Sequence, residues 1–183
     1  MTHASHKPNL GVRELRDVFG TFATGVTVVT AVRADGEPVG TTANSFTSVS
    51  LDPPLILWCL SVKSRSISAF SPGAPFSVHV LAHDQRDLAT HFAQSGRERF
   101  DVDPYWRENP QPPRVAGVLS RLDCRVHSSF LGGDHWIIVG EVLATERAAG
   151  EPLVFHAGRF GRFKLESSVS EAEAWHTLHG EWF

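Results

Sequence analysis

Val26-Thr27-Val28-Val29-Thr30-Ala31-Val32-Arg33-Ala34-Asp35-Gly36-Glu37-Pro38-Val39-Gly40-Thr41-Thr42-Ala43-Asn44-Ser45-Phe46 reads as a β-hairpin. Val26 to Arg33 is dense in Val and Thr, whose branched side chains suit a pleated surface. Asp35-Gly36 is a strong signal for a two-residue turn in which both central positions need positive φ. Pro38 to Phe46 is then the returning strand. Outward from this hairpin the same grammar repeats. Leu55 to Leu60 reads as a strand buried on both faces, and Phe76 to Leu81 as another. Arg121 to Ser129 and His135 to Thr145 flank the turn Leu131-Gly132-Gly133-Asp134, and short strands follow at Leu153 to Phe155 and Arg159 to Lys164.

Helical signals are few. Val12, Leu15, Val18, Phe19 and Phe22 share one side of a helical period behind Asn9 as a cap, and Gly25 ends that segment. Ser66 to Phe70 reads as a short helix. Asp84 to Phe92 reads as another, capped by Asp84, with Leu88, Ala89 and Phe92 on one face. A charged, proline-rich loop from Gly96 to Pro113 carries Phe100, Tyr105 and Trp106, and loops of that length are commonly functional. Many short strands with few helices predict a mainly β protein, a β-barrel with appended helices. The 183 residues fit one domain.

Composition removes several function classes. A formal charge of -3 offers no broad positive field, so nucleic acid is not an expected partner. The densest apolar run, Leu55 to Leu60, is too short to span a bilayer, and Met1 to Asn9 has no apolar export core. Cys59 and Cys124 lie in apolar strands; a bridge between them is the alternative to the favoured reading as inert thiols, and the expected location is the cytoplasm. No G-x-G-x-x-G follows a strand, and no Walker A, zincin, nucleophile-elbow or paired Cys-x-x-Cys motif occurs. Ten histidines are scattered, and the one pair four residues apart, His79 and His83, begins in an expected strand and not on a helix, so no metal site is expected.

Three segments carry chemistry. Thr41-Thr42-Ala43-Asn44-Ser45-Phe46-Thr47-Ser48-Val49-Ser50-Leu51-Asp52-Pro53-Pro54 is rich in small hydroxyl and amide side chains. Such a wall lets backbone groups approach a flat polar ring while hydroxyls reach a sugar-alcohol chain; a solvated edge strand is the plain alternative. Ser61-Val62-Lys63-Ser64-Arg65-Ser66 places two cations and several hydroxyls ahead of a helix start, where an anion is favoured. A capped surface helix explains the same residues. Gly132-Gly133-Asp134-His135 is either a tight turn or a turn that sets His135 at a pocket mouth as a hydrogen-bond donor.

Together these segments resemble the flavin reductase domain family, the reductase components of two-component flavin monooxygenases. The resemblance begins at Phe19-Gly20-Thr21-Phe22-Ala23-Thr24-Gly25-Val26-Thr27-Val28-Val29-Thr30 and includes Thr41 to Pro54, Phe76 to Leu81 and Leu88 to Phe92. It continues through Gly132-Gly133-Asp134-His135 and Gly140-Glu141-Val142 to Gly158-Arg159-Phe160-Gly161. It implies an FMN-binding split barrel over residues 10–166, flanked by an N-terminal extension 1–9 and an aromatic tail 167–183. It further implies a homodimer with each flavin near the subunit interface.

By motif, the resemblance implies that Thr42, Ala43, Asn44 and Ser45 line the flavin ring and ribityl chain. Ser48, Val49 and Ser50 would meet the ring edge, and Lys63, Ser64, Arg65 and Ser66 would hold the phosphate. His135 would face the nicotinamide, Arg159 and Phe160 would close the pocket, and Phe92 and Phe100 would serve as lid or stacking residues. The implied activity is hydride transfer from NADH or NADPH to FMN or FAD, with the reduced flavin passed to a separate monooxygenase. A non-catalytic flavin-binding electron carrier is the alternative, and a split-barrel oxidase acting directly on substrate ranks third. Residues Ser167 to Phe183 fall outside the resemblance; Trp175, Leu178 and Trp182 at helix-like spacing suggest a docked helix.

Overall fold

The structure is a computed structural model and describes residues 10–94, 100, 105–106 and 112–164. The expected cap Asn9, most of the loop over 96–113 and the tail 167–183 lie outside the described residues. In chain order the elements are α1 (Val12–Phe19), β1 (Thr24–Gly25), β2 (Thr27–Val32), β3 (Pro38–Ala43), β4 (Thr47–Leu51) and β5 (Pro54–Ser61). A 3-10 helix (Ile67–Phe70), β6 (Pro75–Val80), α2 (Arg86–Ala93), β7 (Tyr105–Trp106) and β8 (Arg114–Val115) follow. The long strands β9 (Ser120–Gly132) and β10 (His135–Arg147) and the short pair β11 (Leu153–His156) and β12 (Arg159–Arg162) complete the order.

Seven strands form one antiparallel sheet in the order β3-β2-β6-β9-β10-β5-β4. Its two edges, β3 and β4, are neighbours in the chain, joined only by Asn44 to Phe46. The sheet must therefore curl until those edges approach, and β3 does come up against β5. The result is a barrel with a seam between β3 and the β4–β5 pair. Trp58, Phe70, Phe76, Val78 and Ile138 fill its interior. The Trp58 and Phe70 rings meet edge to face with centroids 4.9 Å apart. Gly140 on β10 lies where any side chain would overlap the Phe76 ring. Replacing it would force that ring off its site, at a typical overpacking cost of about 1–3 kcal/mol.

A second apolar layer covers the outside of β2 and β6. Val28, Leu81, Ala89, Phe92 and Leu153 pack there beneath α2 and the small sheet β1-β11-β12. Among the described residues no helix is long and apolar enough to cross a membrane.

Several sequence expectations change in detail. The first hairpin has a three-residue loop: Val32 pairs with Pro38, and the Arg33 and Glu37 backbones bond across it. Only Gly36 takes positive φ, at 86°, so Asp35 keeps an ordinary conformation and the loop is the bulged kind. Thr47–Leu51 is an exposed edge strand, the plain alternative for its hydroxyl-rich segment. Strand β5 alternates, burying Ile56, Trp58 and Leu60 while Leu55, Leu57 and Cys59 stay half-covered on the other face. The expected helix Ser66 to Phe70 is a four-residue 3-10 turn. Asp84 does not cap α2; the Gln85 side chain instead accepts from the Ala82 N–H and donates to the Ala116 carbonyl. Helix α1 forms, yet none of its residues is buried.

Candidate functional site

The chemistry-bearing segments lie along strand β5, at its edge with β4, across the seam from β3 and at its C-terminal end. Ser45, just past β3, accepts a hydrogen bond from the Cys59 N–H at 2.8 Å and returns one to the Cys59 carbonyl at 3.4 Å. Its hydroxyl thus ties the segment between β3 and β4 to the far half of β5. Ser45 holds the seam through its hydroxyl. Asn44 beside it is exposed. Ser48, Val49 and Ser50 lie on β4, an edge strand whose pairing with β5 shifts register between Ser48 and Ser50. The bulge leaves Val49 without a ladder partner, and an edge presents unpaired N–H and C=O groups. A backbone surface of that kind suits the polar rim of a flat ring.

Strand β5 runs from this edge directly into the basic segment. Within it, the Ser64 N–H donates to the Ser61 carbonyl, Lys63 N–H to Ser61 Oγ, and Ser66 N–H to Ser64 Oγ. The loop is thereby folded on its own hydroxyls, while the Lys63 and Arg65 side chains stand exposed. Ser66 is buried and does not face outward with them. A four-residue 3-10 turn has no appreciable dipole, so the expected helix-terminus attraction for an anion is replaced by the side-chain cations themselves. Arg33, from the first hairpin, donates to the Arg65 carbonyl at 3.3 Å. No sequence signal marked it; its approach depends on the curl that brings β2 and β3 round to β5.

His135 opens β10 directly opposite Ser61. Gly133, at φ 68°, and Asp134 form the two-residue turn before it, and the Asp134 carbonyl accepts from the Val62 N–H at 3.0 Å. The imidazole Nδ1 and the Asp134 carboxylate lie 2.7 Å apart. This bond to His135, then the charge of His135, and more weakly that of Lys63, hold the Asp134 carboxyl below its ordinary range. Asp134, read from sequence only as part of a turn, thus joins the site.

The remaining predicted residues sit elsewhere. Thr42 donates to the Ala89 carbonyl at 2.7 Å, tying β3 to α2, and Ala43 is buried. Phe92 is fully buried, with Phe100 at a centroid distance of 5.5 Å, and its ring presses on Gly40 of β3. Phe92 is therefore a packing residue behind the seam and cannot act as a lid. Arg159 and Phe160 lie on the β11–β12 hairpin, lining with His156, Ala157 and Gly161 a shallow pocket of about 370 Å³. That pocket contains no seam residue. The link runs through α2, whose Arg86 lies 5.7 Å from the centre of the Phe160 ring while Ala89 meets Thr42.

The assembled set suits a flavin nucleotide: an unpaired backbone edge and an amide for the ring and ribityl chain, and exposed cations for a phosphate. The sequence signature of the flavin reductase like domain extends over residues 19–164. The chain belongs to this family. Within it, the FMN reductase (NADH) SmoA of Agrobacterium fabrum (strain C58 / ATCC 33970) is 47% identical over 155 residues, which are 84% of this chain and 87% of that protein. The reductase component of the 4-nitrophenol 4-monooxygenase/4-nitrocatechol 2-monooxygenase of Rhodococcus opacus is 41% identical over 151 residues, covering 82% of this chain and 80% of that protein. Among solved structures, the NADH:FAD oxidoreductase SgcE6 of Streptomyces globisporus C-1027, in complex with NAD and FAD fragments, superposes with a TM-score of 0.79. It is 42% identical, and the match covers 85% of this chain and 94% of that one. The mainly β split-barrel architecture is shared across the flavin reductase family in this way.

Proposed function

We propose that this chain is an NADH-dependent flavin reductase that reduces FMN or FAD and supplies the reduced flavin to a separate monooxygenase component. The observation that supports the reading is that strand β5 joins these segments: the β4 edge pairs with its first half, Ser45 bonds Cys59 in its far half, and the Lys63–Arg65 loop and His135 meet its C-terminal end. Lys63 and Arg65 hold the phosphate that FMN and FAD both carry. Asn44 and the Ser48 to Ser50 backbone hold the ring and ribityl chain, Ser45 ties the seam to β5, Thr42 ties β3 to α2 behind it, and His135 positions the nicotinamide. When bound, the flavin supplies the hydride-accepting chemistry, so the protein's task is orientation and exclusion of water. No covalent attachment is needed, and a loosely held flavin released after reduction suits delivery to a second enzyme. Following absorbance at the flavin band with FMN and FAD each crossed against NADH and NADPH tests this. Bleaching with NADH is expected; a flavin that binds but resists both nicotinamides would make the chain a carrier, and no binding at all would end the flavin reading.

The finer reading is a cytoplasmic homodimer built on domain 10–166, with 167–183 an appended tail. Helix α1 and the turn after it support the dimer: Val12, Val18 and Phe19 are 68, 59 and 69% exposed and Phe22 is 76% exposed, large apolar side chains turned outward. Leu51 of β4 is 70% exposed beside the seam. The unpaired Cys59 and Cys124, the latter with burial pushing its thiol up to about 12, suit a reducing compartment. Sedimentation equilibrium should return a dimer at micromolar concentration, and Phe19→Asp/Phe22→Asp should return a monomer. A monomeric wild-type protein would remove the dimer from the proposal.

A further inference from the structure

We infer that Asp134 is a positioning residue for His135, fixing its neutral imidazole as the Nδ1–H tautomer so that Nε2 is a hydrogen-bond acceptor. An ionised carboxylate can only accept, so at 2.7 Å the proton of that bond resides on Nδ1. A neutral imidazole has a single N–H, which leaves the Nε2 lone pair at the opposite edge of the ring. The carboxylate is well placed to impose this state. Its residue is locked into the turn by the positive φ of Gly133 and by the Val62 N–H to Asp134 carbonyl bond, and its charge is preserved by His135 and Lys63. Adjacent residues on a rigid turn also lose little entropy in meeting.

The consequence revises the expectation that His135 acts as a donor. An acceptor at Nε2 matches the carboxamide N–H₂ of a nicotinamide, so Asp134 sets which chemical partner His135 can take. That second step rests on the reductase reading above; the tautomer does not. Asp134 on its own turn bonds the imidazole, Ser61 lies opposite His135 across the β5–β10 ladder, and Lys63 acts on the Asp134 carboxylate.

The test uses the full chain labelled with 15N-histidine, above the pH at which imidazoles are protonated, with His135→Gln identifying the His135 signals. Wild type should show Nδ1 protonated and Nε2 bare. Asp134→Ala should shift His135 toward the Nε2–H form that free imidazole side chains prefer, and Asp134→Glu should restore the wild-type pattern at least in part. In turnover, Asp134→Ala should raise KM for NADH about tenfold, with FMN affinity within about twofold of wild type, which also shows that the variant is folded. An Nε2–H pattern in wild type, or an Asp134→Ala variant that keeps both the wild-type pattern and KM, overturns the inference. A wild-type protein without NADH turnover would sink the reductase reading alone, and the ring-nitrogen pattern would still decide the role of Asp134.

Discussion

Lys63→Ala/Arg65→Ala is expected to weaken FMN and FAD binding about 100-fold while leaving riboflavin binding within about threefold. Each charge-assisted hydrogen bond to phosphate contributes about 1.5–3 kcal/mol, and 1.4 kcal/mol is a factor of ten. Both side chains are exposed, so solvent screening places each near the lower end of that range. The neighbouring cation Arg33 is already bonded to the Arg65 carbonyl. The Lys63, Ser64 and Ser66 N–H groups are already engaged within the loop, and the following 3-10 turn of four residues lacks a helix dipole to hold an anion. Riboflavin has the ring and ribityl chain without the phosphate, so it isolates the contribution of the cations. Fluorescence-quenching titrations with the three flavins at two ionic strengths measure it. The wild-type preference for FMN over riboflavin should shrink at high salt, and it should be nearly gone in the double variant. Equal weakening for riboflavin and FMN would mean that the substitutions had disturbed the barrel end, and unchanged affinities would move the phosphate away from this loop.

What could be read from the sequence was the part governed by local backbone chemistry. Val and Thr runs became strands, Gly132-Gly133-Asp134 became a tight turn, and the seam segments were singled out by their hydroxyls and cations. The parts that escaped are set by distant contacts. Thr47-Ser48-Val49-Ser50-Leu51 reads as either a binding wall or an edge strand; it is an edge strand because β5 offers it a ladder, and its bulge removes the alternation that would have marked it. Leu55 to Leu60 is uniformly apolar, yet only one face is core and the other is half-covered. Phe92 resembled a lid because an aromatic side chain near a binding segment carries no mark of which way it points. The Asp134–His135 pair was hidden for a geometric reason. Successive side chains on a strand point to opposite faces, so neighbours are not expected to bond. Asp134 escapes that constraint because it belongs to the turn and His135 to the strand.

The second large effect concerns acid stability and a residue remote from the seam. His79 on β6 is fully buried, and its Nδ1 lies 3.1 Å from the Val28 carbonyl, which can only accept, so Nδ1 carries the proton. Its Nε2 has no partner among the described residues. Burial lowers the pKa to about 4 from 6.5; Arg121 and Arg114 add to the lowering, and the Val28 bond and Asp123 oppose it. The folded state therefore holds His79 neutral over a range in which the unfolded chain protonates it. Between pH 6.5 and about 4 the unfolded state binds the extra proton, so stability falls as the pH falls through this window. Above the window the contribution is complete, and its loss across the window is on the order of 3 kcal/mol, at 1.36 kcal/mol per pKa unit. Carboxylates titrate over the same range, so the informative quantity is a difference between two proteins. His79→Gln can still donate to Val28 but cannot titrate. Urea unfolding at pH 7, 5.5 and 4.5 should show wild type losing more stability than His79→Gln, with most of the divergence below pH 6. Parallel profiles for the two proteins would mean that His79 takes up its proton in the folded state as readily as in the unfolded chain, and the acid sensitivity would then lie elsewhere.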